Sequence, residues 1–177
     1  PLTNFAMALN LRPDLTDLIG RVVAMGGAIE RGNVTQFAEF NFYADPESVQ
    51  YVLDTGIPLE IVTWDASMKA AVPGEEISNI AGPQGKKRSR AQELFGRLAA
   101  VLLDNVERLY GIRTAPLPDP LAMAYALEPE ITEEHLSSGL MMELAPTVMR
   151  GASVLHEDGN AEIILNTDRN RFVDILK

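Results

Sequence analysis

The chain has 177 residues, 46% hydrophobic and 23% charged, with a formal net charge of −10. That length suits one domain with a sizeable core, and the acidity excludes the basic surface that nucleic acid or an anionic membrane attracts. The absence of cysteine and the presence of only two histidines exclude disulfides, thiolate metal sites, a cysteine nucleophile and a multi-histidine centre. No apolar run approaches the ~20 residues of a membrane span.

Pro1 opens the chain with no initiator methionine and no signal-peptide pattern. The expectation is a processed protein or the C-terminal piece of something longer. Thr3 to Leu11 reads as a short helix with Thr3 or Asn4 as N-cap, and Pro13 to Ile19 as a second, stopped at Gly20. Asp14 and Asp17 then fall on a solvent-type helix. Arg21 to Met25 is a short apolar run suited to a buried strand, turned at Gly26-Gly27. Asp45-Pro46-Glu47 starts a helix with an acid cap, a proline at the first position and a further acid. Val49, Val52 and Leu53 keep its apolar spacing, and Gly56 ends it. Pro58 to Thr63 reads as a second strand, ending at Trp64-Asp65.

Pro73 to Lys87 is rich in Gly, Pro and charge and reads as a mobile connection. The basic cluster Lys86-Lys87-Arg88-Ser89-Arg90 reads as a solvated loop. Ser89 caps the longest helix, to about Tyr110, with Leu94, Leu98, Val101, Leu102, Val106 and Leu109 as its buried stripe. A helix is expected from Pro120 to Leu127. Leu140 to Leu144, Ser153 to His156 and Ala161 to Leu165 are short strands, with Asp158-Gly159-Asn160 as a turn. Arg169 to Leu176 closes with a helix. The alternation predicts an α/β fold, a mostly parallel sheet flanked by helices with a late hairpin-like appendage, in a single domain over 1–177.

One stretch stands out. Asn33 to Asp45 (N-V-T-Q-F-A-E-F-N-F-Y-A-D) interleaves Asn33, Glu39 and Asn41 with Phe37, Phe40, Phe42 and Tyr43. Rings that exclude water beside a few orienting polar groups suit a half-buried pocket wall. In extended backbone Glu39 and Asn41 would project to one side, Phe40 and Phe42 to the other. The alternative is a polar loop leading into the helix at Asp45. Ligands of open α/β sheets bind beyond the carboxyl ends of the strands, where Met25-Gly26-Gly27, Trp64-Asp65 and this stretch all fall. Gly26-Gly27 is no dinucleotide fingerprint and reads as a tight turn. Trp64 is either a base-stacking ring or a buried anchor. Asp119, between two prolines, is either an N-cap or a carboxylate ligand for a hard cation.

These residues also carry a resemblance. P-L-T-N at 1–4, V-V-A-M-G-G-A at 22–28, G-N-V-T-Q-F-A-E-F-N-F-Y-A-D-P at 32–46 and D-P-L-A at 119–122 are similar in order and spacing to the inosine-uridine preferring nucleoside hydrolases. Arg150-Gly151 and D-R-N-R-F at 168–172 resemble that family's tail. The resemblance implies hydrolysis of the N-glycosidic bond of ribonucleosides to ribose and free base, with bound calcium, in a cytoplasmic dimer or tetramer. It implies that Asn33 and Glu39 hold the ribose 5′-hydroxyl and that Asn41 holds the 2′- and 3′-hydroxyls. Met25 would line the sugar pocket and Phe40 its apolar wall. Asp119 would ligate calcium through its carboxylate and Thr3 through its backbone carbonyl. Cleavage builds positive charge on the sugar, which oxygen-rich groups gripping the ring stabilise.

Two departures qualify that picture. The family's D-x-D-x-x-x-D-D cluster, source of the general base and further calcium ligands, is absent from these 177 residues. The expectation is therefore a C-terminal portion that alone binds calcium weakly and turns over no nucleoside. Pro118 stands where many family members carry a histidine that assists the leaving base, and His135 and His156 read as structural or surface residues. The alternative function is a catalytically inactive nucleoside- or ribose-binding module or partner subunit. A purely structural fragment is the third possibility.

Overall fold

The computed structural model describes residues 1–82 and 89–177. Its framework is a four-stranded sheet in the order β1-β2-β6-β5. Strands β1 (Val22–Met25), β2 (Leu59–Val62) and β6 (Ser153–Thr167) run parallel, and β5 (Thr132–Met142) lies antiparallel to β6. The first two strands are short apolar runs, as strands covered on both faces must be. Ala24 pairs with Ile61, and Ile61 with Ile163.

Alternation along these strands divides the core in two. On one face Ala24, Leu59, Ile61 and Ile163 pack with Leu9 of α1 (Thr3–Leu11), Phe42 of α2 (Phe40–Ala44) and Val49 and Val52 of α3 (Pro46–Asp54). On the other, Val62 and Ile164 meet Ala66 of α4 (Trp64–Lys69), Ile77 of α5 (Gly74–Ile80), Leu103 of α6 (Arg90–Tyr110), Leu121 of α7 (Pro118–Leu127) and Phe172 of α8 (Arg169–Ile175). Two-residue strands β3 (Val72–Pro73) and β4 (Thr114–Ala115) form a separate antiparallel pair. Among the described residues no helix is long and apolar enough to cross a membrane.

Several expectations are corrected. The late strands are no appendage: β6 lies inside the sheet, between β2 and β5. Asp158-Gly159-Asn160 makes no turn between separate strands. Instead β5 pairs Ser138 with Ala161 and Gly139 with His156, leaving residues 157–160 as a bulge on β6. Gly139 is required beneath it, since a Cβ there would lie 2.1 Å from the Asp158 carbonyl oxygen. Pro73 to Lys87 is not all connection, because residues 74–80 form α5 with Ile77 and Ile80 buried. Residues 83–88, which include the end of that connection and Lys86-Lys87-Arg88 of the basic cluster, and the Leu109 side chain lie outside the described residues. The helix at Pro13–Leu18 is of the 3-10 type.

Helix α6 begins at the expected cap, Ser89, which forms a capping box: Ser89 accepts from the Gln92 amide and Gln92 returns the bond; the helix ends at Gly111 with φ +69°. Its buried side follows the expected stripe only in part, at Leu102 and Val106. Ala99 and Leu103 are buried with Phe95, Leu102 and Val106 packed beside them, whereas Leu94, Leu98 and Val101 are 57%, 63% and 61% exposed. Helix α7 begins at Pro118 rather than Pro120. Prolines are accommodated in a first turn because its N–H groups have no intrahelical partner.

Candidate functional site

Met25 ends β1, and the chain turns there beside the end of β2. The Gly26 amide donates to the Val62 carbonyl at 3.2 Å, and the Trp64 amide to the Gly27 carbonyl at 2.9 Å. The ring of Phe42 lies against both glycines. A Cβ at Gly26 would meet it at 2.2 Å, and Gly27 has φ +70°. So the glycines mark close approach of a ring as well as a turn.

The stretch that follows is not extended. Glu39 is the N-cap of α2, with Asn41 and Phe42 inside that helix. Residues 39 to 42 therefore do not alternate: Phe42 is buried while Phe40 is 57% exposed. A carboxylate before an aromatic-rich pentapeptide can cap a helix turn as readily as it can line a strand, and here capping prevails because it satisfies orphan amides. Glu39 Oε1 accepts from the Asn41 amide at 2.8 Å, and Oε2 from the amides of Gly27 at 3.0 Å and Phe42 at 3.1 Å. The side chain thus ties α2 to the end of β1. Burial pushes its pKa above the ordinary glutamate value, and the three amide bonds work against that rise.

The two asparagines join the same network. Asn33 Oδ1 accepts from the Phe40 amide at 2.9 Å. Asn41 Nδ2 donates to the Met25 carbonyl at 3.3 Å and lies 3.2 Å from the Met25 sulfur. These bonds fix which end of each amide is engaged. Among the described residues the Nδ2 of Asn33 and the Oδ1 of Asn41 keep no protein partner, leaving one donor and one acceptor for a bound molecule. Met25, Asn33, Glu39, the Phe40 backbone and Asn41 are thus gathered at the carboxyl end of β1. An open hollow of about 630 Å³ lined by residues 30–36 adjoins them, sharing Asn33.

The two expected cation ligands are not drawn into this network. The Thr3 hydroxyl donates to the Asp45 carboxylate, which also accepts from the Ser48 amide as N-cap of α3. The Thr3 hydroxyl is the first cause holding the Asp45 pKa below the ordinary aspartate range. Leu2, not Thr3 or Asn4, is the N-cap of α1. Asp119 is exposed in the first turn of α7, on the helix layer opposite α1. No group of three His, Cys, Asp or Glu side chains able to hold a metal occurs among the described residues. Calcium takes six to eight oxygens, so one exposed carboxylate and one main-chain oxygen do not make its site.

One buried group was visible at a strand end but not as part of the site. Asp65, 5% exposed, accepts from the amides of Ile29 at 2.6 Å, Glu30 at 3.3 Å and Arg31 at 3.4 Å. Its neighbour Trp64 is half-buried at the start of α4.

Covered on both faces and carrying its polar network beyond the strand ends, the chain has the architecture of α/β proteins that bind ligands there. The chain belongs to the inosine-uridine preferring nucleoside hydrolase family, whose model matches residues 1–174. It is 32% identical over 182 aligned positions to the pyrimidine-specific ribonucleoside hydrolase RihA of Citrobacter koseri, covering 99% of this chain and 57% of that protein. The Salmonella enteritidis protein of the same name is 34% identical over 190 positions. Among solved structures, an inosine-guanosine nucleoside hydrolase superposes with a TM-score of 0.83 at 26% identity, over 99% of this chain and 59% of its own. A plant nucleoside hydrolase shares the fold at a TM-score of 0.89 and 20% identity, over 100% of this chain and 58% of its own. The chain spans about 57% of the length of the curated relatives it matches.

Proposed function

We propose that this chain supplies the sugar-gripping part of a ribonucleoside hydrolase, which cleaves the N-glycosidic bond to give ribose and free base. The observation that carries the reading is the joint network of Met25, Asn33, Glu39 and Asn41, with one amide donor and one amide acceptor left open. A ribose hydroxyl both donates and accepts, so it matches that pair. Donors and acceptors held rigidly before the substrate arrives stabilise charge on the sugar without reorganising during reaction.

The family relationship supports N-glycosidic hydrolysis in general. Neither buried carboxylate suits the role of general base, because Glu39 and Asp65 each spend both oxygens on backbone amides. The water-activating group and the remaining calcium ligands would come from outside these 177 residues. Asp119 and the Thr3 carbonyl would then contribute to a shared cation site. On this reading the chain alone turns over no nucleoside, and the active form is an oligomer of the complete protein.

The test is ribose release from inosine, uridine and cytidine by the complete protein, with and without a calcium chelator. Asn41→Ala is expected to lower kcat about 10²–10³-fold, the usual loss when one transition-state contact is removed. No ribose from any common nucleoside, with ribose binding intact by calorimetry, would favour the non-catalytic binding module instead.

A further inference from the structure

The segment between β1 and α2 contains no helix or strand, yet it carries Asn33. Its later backbone bonds are internal: the Gly32 amide goes to the Gln36 carbonyl, and the amides of Asn33, Val34 and Thr35 to the Ala38 carbonyl. Thr35 Oγ1 accepts from Phe37 and Ala38. Gly32 is needed for this closure, since a Cβ there would lie 2.2 Å from the Ala38 oxygen. Such a loop holds its own shape but is not thereby held in place.

Two buried carboxylates hold it. Glu39 fixes the Gly27 amide and the start of α2. Asp65 fixes the three successive amides of residues 29–31, a backbone nest that attracts an anion. Asp65 is itself held in the first turn of α4, whose N-cap Thr63 donates its hydroxyl to the Ile164 carbonyl of β6 at 2.8 Å. A continuous path thus runs from the middle of the sheet through α4 and Asp65 to the loop two residues before Asn33.

We propose that Asp65 is a positioning residue for the sugar site, setting where Asn33 stands through the 29–31 amides. The inference rests on the ribonucleoside reading above for its functional consequence, though not for the brace itself. A carboxylate is required because three N–H donors converge on its two oxygens. Asp65→Asn keeps the shape but turns an NH₂ group toward donors, so part of the nest is lost.

Hydrogen exchange on the 177-residue chain tests the brace directly. In the wild type the amides of 29–31 exchange as slowly as those of α4, and in Asp65→Asn at least ~10-fold faster, while Asn41 and Phe42 are unchanged. Free-loop exchange in the wild type overturns the proposal, even if the variant fails to fold. In the complete protein, Asp65→Asn lowers kcat/KM about 10-fold, and Asn33→Ala adds little on that background. Asn41→Ala adds in full. A purely structural role for Asp65 would make the Asn33 and Asp65 losses additive, which overturns the assignment. Should the complete protein release no ribose, the functional reading fails, and the same cycle measured on ribose affinity by calorimetry decides the positioning role; absence of ribose binding sinks both.

Discussion

Glu39 carries the chemistry that single residues bring to this chain. Its pKa is raised by burial, so between the ordinary glutamate value and the raised one the folded chain binds more protons than the unfolded chain. Stability therefore falls as pH rises through that window and levels off above it. Glu39→Gln removes this slope, which urea melts at closely spaced pH values from 4 to 7 would record. The variant is also expected to lose about 1–3 kcal/mol at neutral pH, because its NH₂ group must face a backbone donor. The motif was legible at this scale: Asn33, Glu39 and Asn41 stood out as polar groups among rings. Their use was not. That Glu39 also meets the Gly27 amide depends on how the chain passes the end of β1, which spacing alone does not encode.

Helix α6 illustrates what one element can hide. Its N-cap was readable because Ser89 acts on its own backbone neighbourhood. Its buried side was not, because apolar residues occupy two faces and periodicity fits both. Leu94, Leu98 and Val101 lie on one face; Phe95, Ala99, Leu102 and Val106 lie on the other, and contact with α5 and β4 selects the latter. Leu103→Ala should therefore destabilise by about 2–5 kcal/mol, the range for truncating a buried leucine. Leu98→Ala should stay within about 0.5 kcal/mol, as for exposed positions. Equal losses in thermal melts of the two variants would contradict the observed packing. The same ambiguity affected residues 39–44, where a short helix replaced the expected extended run, and β6, where turn-forming residues became a bulge.

Across the whole molecule the sheet is the deciding object. Among the described residues β1 pairs with β2 alone, so its outer edge offers unpaired backbone groups. Met123 and Leu127 of α7, a helix packed on β1, are exposed, as are Met7 and Leu11 of α1. An open edge and exposed apolar side chains each invite association. Light scattering of the 177-residue chain should rise with concentration at micromolar levels, and urea below the unfolding transition should reduce it. Concentration-independent scattering would show that the edge is protected.

The sequence by itself determined the alternation of strands and helices in outline, the caps at Asp45 and Ser89, the glycine turns and the residue types of the polar network at the end of β1. Each of these depends on local backbone geometry or on composition within a few residues. The long, chemically unusual run from Gly32 to Pro46 also marked the family, which residues 1–174 then matched. Only the tertiary structure decided that β6 lies between β2 and β5, which side of α6 is buried, and that Asp65 meets the amides of 29–31. These contacts join segments some 35 to 100 residues apart. Their geometry follows from packing two helix layers onto one sheet, and no local preference in the chain specifies it.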